Sequence, residues 1–200
     1  MKIAIFASGG GSNAQSIIHY FENKNTAQVA LVVSNKAGAG VVQRANNLGI
    51  PIVIIDRQSF YHENTLLEVL DNYQIELIVL AGFLWWVPGY LISAFERKIL
   101  NIHPALLPSY GGKGMYGMNV HAAVKEAGAT MTGMTIHLVN EKYDDGRILF
   151  QAACPVYPED GPAEIAVRVM QLEHKFYPKA IEYYIRELKR QNPVFLRLEN

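Results

Sequence analysis

Asn101 and His103 stand two residues apart at the end of an apolar run, Lys98-Ile99-Leu100-Asn101-Ile102, that breaks at Pro104. Proline removes a ladder donor and pushes its neighbour into extended backbone, so the run reads as a strand ending there. Alternate side chains of a strand share a face, which sets an amide beside an imidazole. The carboxyl ends of strands are where open α/β sheets place their chemistry. An amide N–H can stabilise an oxyanion, and an imidazole can carry a proton near neutral pH. A lone histidine in such a place is more often a buried cap than a catalyst, so the pair needs support from elsewhere.

The loop Asn140-Glu141-Lys142-Tyr143-Asp144-Asp145-Gly146 carries adjacent carboxylates. On its own it is a solvated turn. Folded over His103 it would raise the imidazole's pKa and fix its orientation, which suits general acid-base work. No serine or cysteine stands in an elbow motif near these residues, so a covalent acyl-enzyme is not indicated. The spacings of a metal site are absent, and no metal is expected. His19, His62, His121, His137 and His174 read as structural or surface residues rather than ligands.

A second feature is the turn Ser8-Gly9-Gly10-Gly11-Ser12-Asn13, which follows the apolar run Ile3 to Ala7. Backbone N–H groups from Gly9 to Asn13 can stay free at a helix N-terminus, where the dipole favours an anion. Gly9, Gly11 and Ala14 also match the dinucleotide fingerprint G-x-G-x-x-A. That fingerprint needs an acidic residue after the second strand, and Ser34-Asn35-Lys36 supplies none. The turn therefore favours a phosphate monoester over NAD, against the bland alternative of a tight turn that binds nothing.

These residues need elements to position them. Apolar runs at Ile3–Ala7, Val29–Val33, Ile52–Ile55 and Leu77–Ala81 alternate with helical spacing over Ala14–Phe21, Ala39–Leu48 and His62–Tyr73. Continuous apolar strands separated by helices predict a parallel sheet covered on both faces, an α/β three-layer sandwich with a Rossmann-like sheet. Pro88–Phe95 predicts a helix leading into the Asn101 strand. Beyond Pro108 come a glycine-rich loop (Tyr110 to Gly117), a helix over about Val120–Ala127, and two strands, Thr130–Val139 and Arg147–Pro155, expected to pair around the acidic loop. Asp160-Gly161-Pro162 starts a helix running to about Arg190, kinked or divided at Pro178, and residues 191–200 form a tail that adds a last strand.

Two hundred residues suit one domain. Eighteen basic and eighteen acidic residues balance, which argues against a nucleic-acid or anionic-membrane surface. The single cysteine, Cys154, excludes an internal disulfide framework and fits a reducing compartment. No signal peptide or membrane-span pattern is visible, and a soluble, cytoplasmic protein is expected.

Taken together the motifs SGGGSN, SNK, LAGFLWWVP, NIHPALLP, HLVNEKYDDG and LEHKFYP cover residues 1–190 in order. In this the chain resembles the formyltetrahydrofolate-dependent formyltransferase family, and within it the branch acting on glycinamide ribonucleotide. The resemblance implies the formyltransferase fold and transfer of a formyl group from the co-substrate 10-formyltetrahydrofolate to the glycine amine of 5-phosphoribosylglycinamide, a step of purine synthesis. It implies that Asn101 stabilises the oxyanion, His103 transfers protons, and Asp144 holds and charges His103. Gly11, Ser12 and Asn13 match the phosphoribosyl-binding turn and Glu173 the acid that grips the ribose. Leu84, Trp85, Trp86 and Val87 match the segment lining the pterin pocket, with Asn101 also on the folate side. Residues 1–100 would form a phosphoribosyl-binding half and 101–190 a catalytic and folate-binding half. A monomer or weak homodimer is expected.

Trp85 and Trp86 stand where some relatives carry an arginine and an aliphatic residue. Met170 stands where relatives often place a lysine or glutamine near the phosphate, and Lys113 is the candidate to supply a charge instead. A methionyl-tRNA formyltransferase would add a basic C-terminal domain, and a formyltetrahydrofolate hydrolase an N-terminal regulatory one; neither is expected here. A non-enzymatic nucleotide-binding module would give no reason for Asn101, His103, Asp144 and Glu173 to occur together.

Overall fold

Unbroken apolar runs make stable strands only where both faces of a sheet are covered, and the chain builds that arrangement. The computed structural model describes residues 1–63 and 65–191. Among them, seven strands form one sheet in the order β3-β2-β1-β4-β5-β6-β7, with β1 (Lys2–Ala7), β2 (Gln28–Ser34), β3 (Ile52–Ile54), β4 (Leu77–Leu80) and β5 (Ile99–His103) parallel. β6 (Met131–Leu138) and β7 (Ile148–Pro155) form the expected antiparallel hairpin, and β6 also pairs antiparallel with β5. Gly133 in β6 is required by this pairing: a Cβ there would lie 1.9 Å from the Ala152 carbonyl oxygen.

Helices supply the outer layers. On one face lie α1 (Ser12–Phe21), α2 (Gly40–Asn47), α6 (Met118–Glu126) and α7 (Pro162–Gln191), meeting the sheet through Ile17, Val41, Val124 and Ile181. On the other lie α3 (Arg57–His62), α4 (Thr65–Asn72) and α5 (Gly89–Ala94), around Phe60, Leu70 and Leu91. Each of those large side chains, fully buried, contributes about 1.5–3 kcal/mol relative to exposure. The three-layer α/β sandwich is the one expected. No helix among the described residues is long and apolar enough to cross a membrane.

Two expectations change. The helix expected over His62–Tyr73 is α4, which begins at Thr65, and a short helix that was not expected, α3, precedes it. Asp56 caps α3 by accepting from the Ser59 N–H at 3.0 Å, and the backbone becomes extended at Glu63. Of the two outcomes expected at Pro178, kinking or dividing, division does not occur: α7 runs through it as one element. Proline has no N–H for the His174 carbonyl one turn back. That carbonyl accepts instead from Ser16 Oγ of α1 at 3.1 Å, so the missing ladder bond ties α7 to the helix after the glycine turn. The buried Tyr177 hydroxyl donates to the Leu80 carbonyl at 2.9 Å, fixing α7 to the end of β4. The last strand expected in the tail falls on residues outside those described.

From β1 the chain leaves toward β2, and from β4 toward β5, so the loops after these neighbouring strands diverge. A crevice opens at such a switch point. Ser8 links its two sides. Its N–H donates to Gly82 O at 3.0 Å, and its hydroxyl accepts from the Leu84 N–H at 2.9 Å.

Candidate active site

The crevice widens into a cavity of about 670 Å³. Ser12, Asn13, Leu84, Trp85, Trp86, Val87, Asn101, His103, Asp144 and Glu173 all line it, and Gly11 caps α1 beside them.

The strand period sets Asn101 and His103 on the face that borders this cavity, opposite His137 and Thr135 of β6. Thr135 anchors the turn beyond His103, accepting from the Leu107 N–H at 2.9 Å and donating to Ala105 O at 2.7 Å. Asp144 reaches in from the β6–β7 loop, in a left-handed conformation (φ 52°) that aspartate tolerates. Its Oδ2 lies 3.5 Å from His103 Nδ1 and accepts from the Gly112 N–H at 3.0 Å. Its Oδ1 lies 3.5 Å from both His137 Nε2 and Asn101 Nδ2. One carboxylate therefore joins the asparagine, the histidine and the glycine-rich loop.

Hydrogen-bond chemistry assigns the ring protons. His103 Nε2 lies 2.8 Å from the Tyr110 carbonyl, which can only accept. A neutral ring thus carries its proton on Nε2 and leaves Nδ1 bare toward Asp144. His137 Nδ1 faces the Leu138 carbonyl at 2.9 Å, so its Nε2 is the acceptor for Asn101 Nδ2 at 3.1 Å. This aims the Asn101 amide.

Burial pushes His103 below the ordinary histidine value, outweighing the upward pull of Asp144 and the Tyr110 carbonyl; the nearby His137 adds to the fall. The carboxylate raises this imidazole as expected, but burial, which the sequence does not display, outweighs it. The His103 side chain is only 4% exposed, and desolvation disfavours its cation more than Asp144 favours it. For Asp144 burial also favours the neutral form. There the polar groups at its two oxygens, His137 at Oδ1 and the Gly112 amide and His103 at Oδ2, outweigh it and hold the carboxyl below its usual range. The resting pair at neutral pH is an anionic Asp144 beside a neutral His103.

At the glycine turn, Gly11 has φ +80° and lies so close to α2 that a Cβ would be 2.7 Å from Val41 Cα. The first amides of α1 have no intrahelical partner. Asn13 Nδ2 donates to Glu173 Oε2 at 2.7 Å, while Asn13 Oδ1 is buried without a partner among the described residues. Burial raises Glu173, and the Asn13 hydrogen bond partly offsets it. Met170 Sδ lies 3.9 Å from Ser12 Oγ, and Lys113 lines the same cavity.

In the loop after β4 the two tryptophans divide their work. Trp85 packs on Phe60 at 5.5 Å and Tyr61 at 6.0 Å, with the Arg57 guanidinium 5.4 Å over its ring. Trp86 meets Tyr143, the neighbour of Asp144, edge-on at 4.1 Å.

Two residues passed over in the sequence belong to the wall. His137 touches both Asn101 and Asp144. His121 is buried, with Nδ1 unpartnered among the described residues, and burial followed by the His103 charge lowers its pKa. The signal for His137 was its place two residues after Thr135 on β6, legible only once β6 is known to face β5.

A glycine turn at the switch point, with an Asn-His pair on β5 and an acid from the next hairpin, defines an α/β group-transfer cavity, and the comparisons give its class. The chain belongs to the formyl transferase family, whose model matches residues 1–181. Among its relatives, a chloroplastic phosphoribosylglycinamide formyltransferase of Arabidopsis thaliana is 44% identical over 186 residues, 90% of this chain. The chain spans 64% of that plant protein's length. The phosphoribosylglycinamide formyltransferase of Haemophilus influenzae is 37% identical, over 92% of this chain and 86% of its own. The crystal structure of phosphoribosylglycinamide formyltransferase from Anaplasma phagocytophilum superposes with a TM-score of 0.85 at 32% identity, covering 93% of this chain and 87% of that one.

Proposed function

We propose that this chain transfers the formyl group of 10-formyltetrahydrofolate to the glycine amine of 5-phosphoribosylglycinamide. The observation that carries the reading is the Asp144 carboxylate set between Asn101 and His103 in a cavity shared by the glycine turn and the Leu84–Val87 loop. Its volume lies within the range of small-molecule sites, about 300–1,000 Å³. The names of the relatives support the formyl transfer and its phosphoribosylglycinamide acceptor.

On this reading Gly11, Ser12 and Asn13 hold the phosphate and Glu173 the ribose hydroxyls. Leu84 to Val87 flank the pterin. The folate side then draws on residues before 100 and the ribose side on Glu173, so the two halves of a single domain share both ligands.

Asn101 donates its amide N–H to the formyl oxygen as the amine nitrogen bonds to the formyl carbon and the C=O electron pair moves onto oxygen. His103 accepts the amine proton at Nδ1, the bare nitrogen. Asp144 stabilises the imidazolium that results. His103 then returns the proton to the departing folate nitrogen as its bond to the formyl carbon breaks, leaving the formylated amine and tetrahydrofolate. A neutral resting imidazole is the form this sequence requires.

The test follows tetrahydrofolate release from 10-formyltetrahydrofolate with and without 5-phosphoribosylglycinamide. Release that depends on the amine supports the transferase. Equal release without it would make water the acceptor and the chain a hydrolase, and no release in either case would return His103 to a structural role.

A further inference from the structure

We propose that Arg44 is a positioning residue for the substrate's phosphate, acting through the Gly10–Gly11 peptide rather than by touching the anion. The inference rests on the reading of the glycine turn as the phosphate site.

A phosphate repels carbonyl oxygens and attracts N–H groups, so a turn that binds it must turn its carbonyls away. All three in this turn are held. Val41 N–H donates to Gly9 O at 3.1 Å, Arg44 Nε–H to Gly10 O at 2.8 Å, and Gln15 N–H to Gly11 O at 2.9 Å. Two of the three donors come from α2, which is why that helix sits so close. A Cβ at Gly40 would lie 3.0 Å from Gly10 O, and one at Gly11 would meet Val41. Arg44 stands one helical turn after Val41 and bonds the Gln15 side chain as well, so one guanidinium spans the turn and the first turn of α1.

A cation on the carbonyl end of a peptide polarises it and makes the N–H at the other end a stronger donor. The Gly11 N–H is that other end. Within the cavity α7 sets the uncharged Met170 3.9 Å from Ser12 Oγ, so the charge behind the turn gains weight. A residue that served only the stability of the fold would change both substrates alike, phosphorylated or not.

That distinction is the experiment. In the whole chain, kcat and KM are measured for 5-phosphoribosylglycinamide and for its unphosphorylated ribosyl counterpart, with Arg44→Met and Arg44→Lys beside the unaltered protein. Arg44→Met is expected to lower kcat/KM for the phosphorylated substrate about tenfold, through KM, and to leave the value for the unphosphorylated one within about twofold. Arg44→Lys, which keeps a charge, should recover part of the loss. Inorganic phosphate, measured by calorimetric titration, should bind more weakly to Arg44→Met in the same proportion. Equal losses for both substrates, a loss in kcat alone, or unchanged phosphate binding would overturn the proposal. Should the chain prove to use water as acceptor, the phosphate titration still decides the role of Arg44. Should Arg44→Met fail to fold, Arg44→Lys carries the comparison.

Discussion

Replacing Asp144 by asparagine keeps the shape of the side chain and removes its charge. The lost term is the attraction between the carboxylate and the imidazolium formed on His103, whose Nδ1 lies 3.5 Å away. At an effective dielectric constant of ~20, two unit charges at that distance attract by about 5 kcal/mol, more than three decades in rate as a ceiling. The Asp144 side chain is 13% exposed, so water recovers only part of this. An asparagine amide must also point its N–H₂ toward either the Gly112 N–H or Asn101 Nδ2, and both of these donors need an acceptor. The expected fall in kcat is on the order of 10²–10⁴. The pH profile supplies a second, signed readout. Asp144 pulls the His103 pKa upward, so its neutralisation should move the acidic limb of kcat/KM to lower pH. The assay is steady-state tetrahydrofolate formation across the neutral range, with Asp145→Asn in parallel. Asp145 is 58% exposed and among the described residues pairs with Lys142 alone, at 3.8 Å, so that variant should stay within about twofold. Equal losses in the two variants, or an acidic limb that rises in Asp144→Asn, would refute the reasoning.

Gly11→Ala should cost at least the ~1–2 kcal/mol of a left-handed non-glycine residue, with the Val41 clash added, and should weaken the phosphorylated substrate; urea unfolding and KM measure the two effects. Trp86→Ala should raise KM for the folate substrate severalfold and disturb Asp144 through Tyr143, while Trp86→Phe restores most of both; no change in either KM would remove Trp86 from the pocket. His103, His121 and His174 all have folded pKa values below the ordinary histidine value of about 6.5, chiefly through burial. The unfolded chain binds these protons first, so stability should be fully present above ~6.5 and fall as pH drops below it. Denaturant midpoints measured through that window should show the slope, and His121→Gln should make it shallower.

How much of this was legible depends on the range of the interaction. Asn101 and His103 could be set on one face from the strand period and Pro104 alone, and the glycine turn from its letters. The hairpin around the acidic loop was equally local. His137 was missed because its role comes from antiparallel pairing across from Asn101, which the sequence does not display. The depressed His103 pKa was missed for a related reason: the carboxylate could be anticipated, but the depth of burial that outweighs it belongs to the packed fold. The start of α3 had a local sign that was passed over, Asp56 three residues before Ser59, the spacing of an N-cap. Pro178 was expected to kink or divide the helix; that the helix is not divided goes with Ser16 lying near enough to take the freed carbonyl, a long-range contact the sequence does not display.

The most direct measurement is His103→Ala, comparing turnover with binding of each substrate by calorimetry. The proposed mechanism predicts a loss of turnover on the order of 10²–10⁴ with both binding constants within a few fold, since in it His103 moves the proton while the turn, Glu173 and the Leu84–Val87 loop hold the ligands. Near-normal turnover in a folded His103→Ala variant would contradict the mechanism at its centre.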